Sequence, residues 1–202
     1  MRPLALLLAS YLVGAVPSSY IAGRLTRGLD LRRQGSGNLG ATNTFRVLGW
    51  RIAVPVLVFD LAKGWFPVYF FPRWDGTGEA LWALGYAAAA VIGHVFSVYV
   101  GFRGGKGVAT SAGALLALTP IAVCTALVLW TVIVVATRLV SLGSIVAAAV
   151  IPLIALLEQG PTPVFWLAAG LAVFVIWAHR ANLARLLRGE EQRLGTLRRR
   201  VT

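Results

Sequence analysis

The sequence predicts an all-α polytopic integral membrane helical bundle, and three observations carry that expectation. Apolar residues make up 58% of the 202 residues and only 13% are charged, against about 25% charged in an ordinary soluble domain; mean hydropathy is +0.77. Several uncharged stretches approach the roughly 20 apolar residues that a membrane span requires. The remaining charges are lopsided, 19 Lys plus Arg against 7 Asp plus Glu for a net +12, and they gather between those stretches. A soluble globular enzyme, a disordered basic tail and a disulfide scaffold are thereby excluded. Cys124 is the only cysteine and reads as packing. Such a basic balance suits anionic head groups or phosphorylated substrates as well as nucleic acid.

The spans follow in order. The first runs from Pro3 to Gly23, with no charge between Arg2 and Arg24. Its arginines come after it (Arg24, Arg27, Arg32, Arg33), which favours a retained span with the N-terminus outside over a cleaved signal peptide. Residues 24 to 51 hold six arginines and one acid, Asp30, and are expected in the cytoplasm. A second span covers about Ile52 to Phe71, interrupted by Asp60 and Lys63. A link carrying Asp75 and Glu79 fits the outer side. Residues 80 to 100 form a third span, with His94 near its end.

From Gly107 to Thr137 there are 31 residues without a charge, about 46 Å as one helix. That is long for one span and short for two. Leu139 to Leu157 and Val164 to Ala178 give two further spans, and the arginine-rich tail after Ala178 belongs inside. Parity then requires the 31-residue run to cross twice, turning near Thr119-Pro120, where proline cannot continue a helix. The expectation is seven spans with a cytoplasmic C-terminus, in a single domain over residues 1–202. The alternative is five, with residues 107–120 re-entrant.

Three inner loops carry the chemistry. The first reads Gly35-Ser36-Gly37-Asn38-Leu39-Gly40-Ala41-Thr42-Asn43, followed by Arg46. Its glycines can turn backbone N–H groups toward an anion, and Arg46 offers a fork suited to phosphate. The second joins His94 to Gly104, Gly105, Lys106 and Gly107. It lacks the spacing and the hydroxyl that a nucleotide P-loop places after its lysine, so it reads as a phosphate cradle without a nucleotide. In the third, His179 and Asn182 share a helical face at the membrane boundary. Arg185, Arg188 and Arg198 to Arg200 read as attachment to anionic lipid. All three loops fall on one side, which predicts a single interfacial site for a phosphate on a lipid-like skeleton. Asp60 and Lys63, three apart in a span, read either as functional charges or as a mutual ion pair.

With these residues in place, the chain closely resembles the bacterial acyl-phosphate:glycerol-3-phosphate acyltransferase family, the PlsY type. The resemblance runs from Tyr11–Ser18 through Gly35–Asn43 with Arg46, Asp60–Gly64, Gly93-His94, Gly104–Thr110, Arg138 with Ser141–Ser144, and His179–Asn182 with Arg185 and Gly189–Glu191. Arg103 stands where the family usually has Lys, and Ser97 where Pro is common. The resemblance implies transfer of a fatty acyl group from acyl phosphate to the 1-hydroxyl of sn-glycerol 3-phosphate in the bacterial cytoplasmic (inner) membrane. It also implies a soluble phosphate acyltransferase as supplier of the acyl phosphate. It assigns catalysis to Ser36, Arg46, Lys106, His179 and Asn182. Gly35, Gly37, Asn38, Gly40, Thr42, Asn43, His94, Gly104, Gly105 and Gly107 are expected to line the phosphates. No metal or other cofactor is expected. An acyl phosphate is already activated, so orientation and charge stabilisation suffice, and His179 is either a base or a positioning group. A transporter for a phosphorylated solute would need a polar route through both leaflets, and the spans after Lys106 offer none. Nucleic acid is not an expected partner, because the loops have few aromatics for stacking.

Overall fold

A computed structural model describes residues 2–195; Arg198 to Arg200, read above as lipid attachment, lie outside the described residues. The described secondary structure is entirely helical. The first span is broken in two, α1 (Arg2–Ala15) and α2 (Ser18–Arg27). Pro17 interrupts the helix, and carbonyls at the end of α1 and in the break accept from side chains elsewhere. Lys63 Nζ donates to Val16 O at 2.8 Å, and Ser97 Oγ donates to Ala15 O. After a short loop come α3 (Ala41–Leu48), α4 (Trp50–Trp74) and α5 (Leu81–Val95). A 3-10 turn, Val98–Val100, then leads to α6 (Val108–Leu116), α7 (Pro120–Thr137), α8 (Val140–Gln159), α9 (Pro163–Ala178) and α10 (Arg180–Leu187).

Small residues set the closest helix contacts, as expected where lipid gives no hydrophobic drive to association. A Cβ on Gly93 would run into the carbonyl of Tyr11, and one on Gly14 into that of Ala90, so α1 and α5 touch backbone to backbone. Gly64 meets Thr110 and Gly113 meets Leu61 in the same way, which clamps α6 onto α4. Asp60 and Lys63 of α4 are the mutual pair, 2.7 Å apart and 1% and 4% exposed. The outward surface is apolar, with Val135 76% and Leu157 86% exposed, as a lipid-facing surface must be.

By length and apolarity, five helical stretches qualify as spans, or six if α9 and the bent α10 count as one, where the charge pattern asked for seven. Two expected spans fall short of that measure: α9, with 16 residues, qualifies only together with α10, and one span rather than two comes from the 31-residue run. Its first helix, α6, has nine residues and a length of about 14 Å, half a hydrocarbon layer. The turn after it meets the far end of α8: Thr119 Oγ1 bonds Glu158 Oε2 at 3.0 Å, and Gln159 Nε2 donates to Leu118 O at 3.4 Å. Pro120 opens α7 at the position where a missing N–H costs nothing. At the other end of α7, Arg138 takes a left-handed φ of 61° and returns the chain to the face where the glycine loops lie. That loop face carries the site.

Candidate active site

The first loop is held by two hubs. Asp30 accepts from Arg32 N at 3.0 Å and from its guanidinium at 2.8 Å, and this arginine holds its carboxyl down at about 2. Arg32 Nη1 also donates to Val100 O at 3.2 Å, tying the loop to the end of the third span. Asn43, 1% exposed, donates to Leu31 O and Gln34 O and accepts from Ser36 N at 2.8 Å. Its amide is thus committed to shaping the loop. Gly35, at φ 60°, sits where a Cβ would strike that amide oxygen. The folded loop brings Ser36, Gly37, Asn38, Gly40, Thr42 and Arg46 to a cavity wall that includes the N-terminal turn of α3.

The second loop pairs back onto α5: Gly104 N donates to Val95 O at 2.9 Å and Gly105 N to His94 O at 3.2 Å. Gly104 and Gly105 have no room for side chains because the carbonyl and ring of His94 lie against them. Gly107, at φ 81°, starts α6 from a left-handed residue, and Lys106 is delivered into the same cavity.

The third contribution comes from the 60° bend between α9 and α10. His179 sits at the bend with Nδ1 2.8 Å from Val175 O. A carbonyl only accepts, so Nδ1 donates and Nε2 is left as an acceptor in the neutral ring. One turn on, Asn182 accepts from Lys106 Nζ and donates to Glu191 Oε1 at 2.6 Å. Glu191 also accepts from Ser141 Oγ at 2.8 Å and Arg185 Nε at 2.7 Å. Burial works to raise its pKa, but these donors outweigh burial and hold it below the usual carboxylate value. The segment that carries Glu191 is fastened by Leu194 N to Arg138 O at 2.7 Å and by Arg46 Nη2 to Gln192 O at 3.5 Å.

These pieces enclose a cavity of about 670 Å³, within the usual range for ligand sites of about 300–1,000 Å³. One end is polar, with Ser36, Arg46, Lys106, His179, Asn182 and Arg185. The other is an apolar arm among Leu61, Ala112, Leu115, Val123, Ala147 and Leu171. Leu57, Leu116 and Leu127 also line it and are themselves exposed. Arg46 Nε is buried without a hydrogen-bond partner among the described residues. Burial brings Lys106 down to about 8, with Arg185 and Arg46 nearby lowering it further and Glu191 opposing. Three cations therefore face Glu191 in a recess that favours binding of dianionic phosphate.

Of the expected residues, Ser36, Arg46, Lys106, His179 and Asn182 all meet at this cavity, together with Gly37, Asn38, Gly40, Thr42, Asn43, His94 and Gly107. Gly35, Gly104 and Gly105 stand behind the wall and shape it. Glu191, Ser141 and Arg185, which the resemblance includes but to which the sequence assigns no site role, border the cavity as well. Arg185 reads in sequence as attachment to lipid, and its side chain instead pairs with Glu191. The available signal was the absence of a counter-anion for so many converging cations.

A cationic, glycine-rich recess that opens into an apolar arm, inside a helical membrane bundle, has the form expected of an enzyme site for amphiphilic phosphates. The chain belongs to the glycerol-3-phosphate acyltransferase family, whose family model matches residues 4–189. It is 45% identical to a glycerol-3-phosphate acyltransferase of Gloeobacter violaceus, over 93% of this chain and 92% of that one. With the enzyme of Chlorobaculum tepidum the identity is 38%, over 95% and 96%. Among solved structures it resembles PlsY (YgiH), an integral membrane glycerol 3-phosphate acyltransferase. The glycerol 3-phosphate form superposes with a TM-score of 0.90 at 36% identity over 97% of both chains. The lysophosphatidic acid form of that enzyme gives a TM-score of 0.88 at 35% identity.

Proposed function

We propose that this protein transfers a fatty acyl group from acyl phosphate to the 1-hydroxyl of sn-glycerol 3-phosphate, releasing lysophosphatidic acid and inorganic phosphate. The observation that carries this reading is the shape of the cavity, a cationic recess continuous with an apolar arm that reaches the exposed Leu57 and Leu127. A water-soluble phosphate fits the recess, and an acyl chain fits the arm. The glycerol oxygen attacks the acyl carbonyl carbon, the carbonyl-to-phosphate C–O bond breaks, and the departing phosphate takes the hydroxyl proton. Arg46 and Lys106 neutralise phosphate and steady the developing oxyanion. Ser36 and the N-terminal turns of α3 and α6 add donors. Asn182 holds Lys106, and His179 presents Nε2 to the attacking hydroxyl as a positioning group.

The same reading places the loop face in the cytoplasm of a bacterium, where glycerol 3-phosphate and a soluble phosphate acyltransferase supplying the donor would be met. It takes α6 as a short crossing, for seven in all with the N-terminus outside. The contacts of Leu118 and Thr119 with the far end of α8 support that topology. The six arginines between residues 24 and 51 support the cytoplasmic side.

The direct test uses purified protein with acyl phosphate and glycerol 3-phosphate, following phosphate release, with acyl-CoA and acyl carrier protein donors in parallel. Release that depends on both acyl phosphate and glycerol 3-phosphate is expected. Equal transfer from acyl-CoA would replace the donor assignment.

A further inference from the structure

The apolar arm changes character with depth. At its upper end Ser141 Oγ bonds Glu191 in the polar recess. One turn below, Trp130 Nε1 donates to Ser144 Oγ at 3.3 Å and fixes the register of α7 against α8. From that level the wall of α8 runs through Ala147 and Ala148 to Ile151, and the wall of α9 runs through Ala172 to Leu171 and Ala168. Seven residues on from Ser144 along α8 stands Ile151, and seven back from Trp130 along α7 stands Val123. These two pack with Leu115 of α6 and with Leu171 and Ala168 of α9 into one buried cluster. Along α8 and α9, then, alanines leave the arm open, and it ends where larger side chains from four helices meet. Beyond the cluster, Thr119 Oγ1 bonds Glu158 Oε2 and joins the turn between α6 and α7 to the end of α8.

Two helices agree on the depth of the arm. From Ser141 to Ile151 is ten residues of α8, about 15 Å. From His179, in the recess, back to Ala168 is eleven residues, about 16 Å. A zigzag chain with C–C bonds of about 1.5 Å advances about 1.3 Å per carbon, so about twelve carbons reach from the recess to the cluster.

We propose that this buried cluster is a stop for the methyl end of the acyl chain, which makes the enzyme selective for acyl phosphates long enough to reach it, with Ala147 and Ile151 as chain-length determinants. The inference rests on the cavity holding an acyl phosphate. Each methylene carried from water into the arm adds about fourfold in binding, and the gain ceases once the chain meets packed side chains. A longer chain turns aside toward Leu127 and Cys124, which line the cavity and are exposed.

The test measures kcat/KM for a series of acyl phosphates from butyryl to palmitoyl at saturating glycerol 3-phosphate. The wild type is expected to gain about fourfold per added carbon up to about twelve carbons and to level off beyond. Ala147→Phe blocks the arm about 9 Å below Ser141 and should bring the break down to about seven carbons. Transfer from dodecanoyl phosphate should then fall about a hundredfold or more, with butyryl phosphate unaffected. Ile151→Ala removes part of the stop and should move the break up by about two carbons. Self-association of the donors in water is the same for every variant, so a shift between variants reports the arm. A merely structural effect would lower transfer from every donor by one factor and leave the break in place, which would overturn the proposal. A wild type indifferent to chain length would overturn it too, while leaving acyl transfer itself intact. Should Ile151→Ala fail to fold, the Ala147→Phe series decides alone. A wild-type protein that accepts none of the acyl phosphates would sink the acyl-transfer reading.

Discussion

Two clusters of buried charge lie close together in this bundle and behave oppositely. Around Asp60 the bookkeeping closes within the protein: one carboxylate, one ammonium, a serine hydroxyl and the Val16 carbonyl at the helix break satisfy one another. Around Glu191 it stays open, since Arg46, Lys106 and Arg185 face a single carboxylate and Arg46 Nε finds no partner among the described residues. A closed cluster at membrane depth fastens α4 to the break in the first span. An open one exerts a field that an incoming anion completes. Burial alone therefore does not mark a functional charge; the mismatch in sign and hydrogen bonding does.

Each half of this contrast can be broken separately. The largest effect should come from Lys63→Met, which leaves Asp60 buried and unpaired and should cost about 3–5 kcal/mol of stability, read as a fall in Tm in detergent. Removing both charges with Asp60→Asn added should recover much of that loss; no recovery would mean that the pair is not self-compensating.

Arg46→Ala should do the reverse. Acyl transfer should fall about 10²- to 10³-fold, as when an oriented donor to developing charge is lost. Tm should hold or rise, because one of three mutually repelling cations is gone. A large drop in Tm would place Arg46 among the structural charges.

The Lys106 ammonium sharpens the open cluster by titration. Burial lowers its pKa to about 8, so the charged form that attracts phosphate dominates below that pH and is lost as pH rises through it. For the free enzyme, kcat/KM for glycerol 3-phosphate should bend downward near pH 8, by up to about tenfold per pH unit above it. Lys106→Arg should abolish that limb while retaining charge. The smallest effect is expected from Ala112→Phe in the apolar arm. It should raise KM for the acyl donor about tenfold through overpacking and leave KM for glycerol 3-phosphate unchanged.

Much of the site was legible in the sequence because small and charged residues stand out against an apolar chain. Ser36, Arg46, Lys106, His179 and Asn182 are conspicuous between spans, and all reach one cavity. Two features needed the tertiary structure. Asn43, Gly35, Gly104 and Gly105 read as phosphate contacts, and in the fold Asn43 borders the cavity while its amide also bonds Leu31 and Gln34, and the three glycines make room for neighbours. A polar or small residue in a glycine loop looks the same whether it serves the ligand or the loop. Arg185 and Glu191 belong to the motifs of the resemblance, but their pairing across a turn is one on which helical periodicity carries no information.

Composition and charge pattern by themselves determined that this protein is a helical membrane bundle with its cationic loops gathered on one face. Those properties follow from the cost of placing apolar surface in water and charge in lipid, which is local and readable residue by residue. Only the tertiary structure decided that α6 is a nine-residue helix clamped to α4, that Asp60 is neutralised, and that Glu191 stands among the site's cations. Those outcomes depend on which backbones approach closely enough to touch and on which charges meet in a low dielectric. Both are set by distances between segments far apart in the chain.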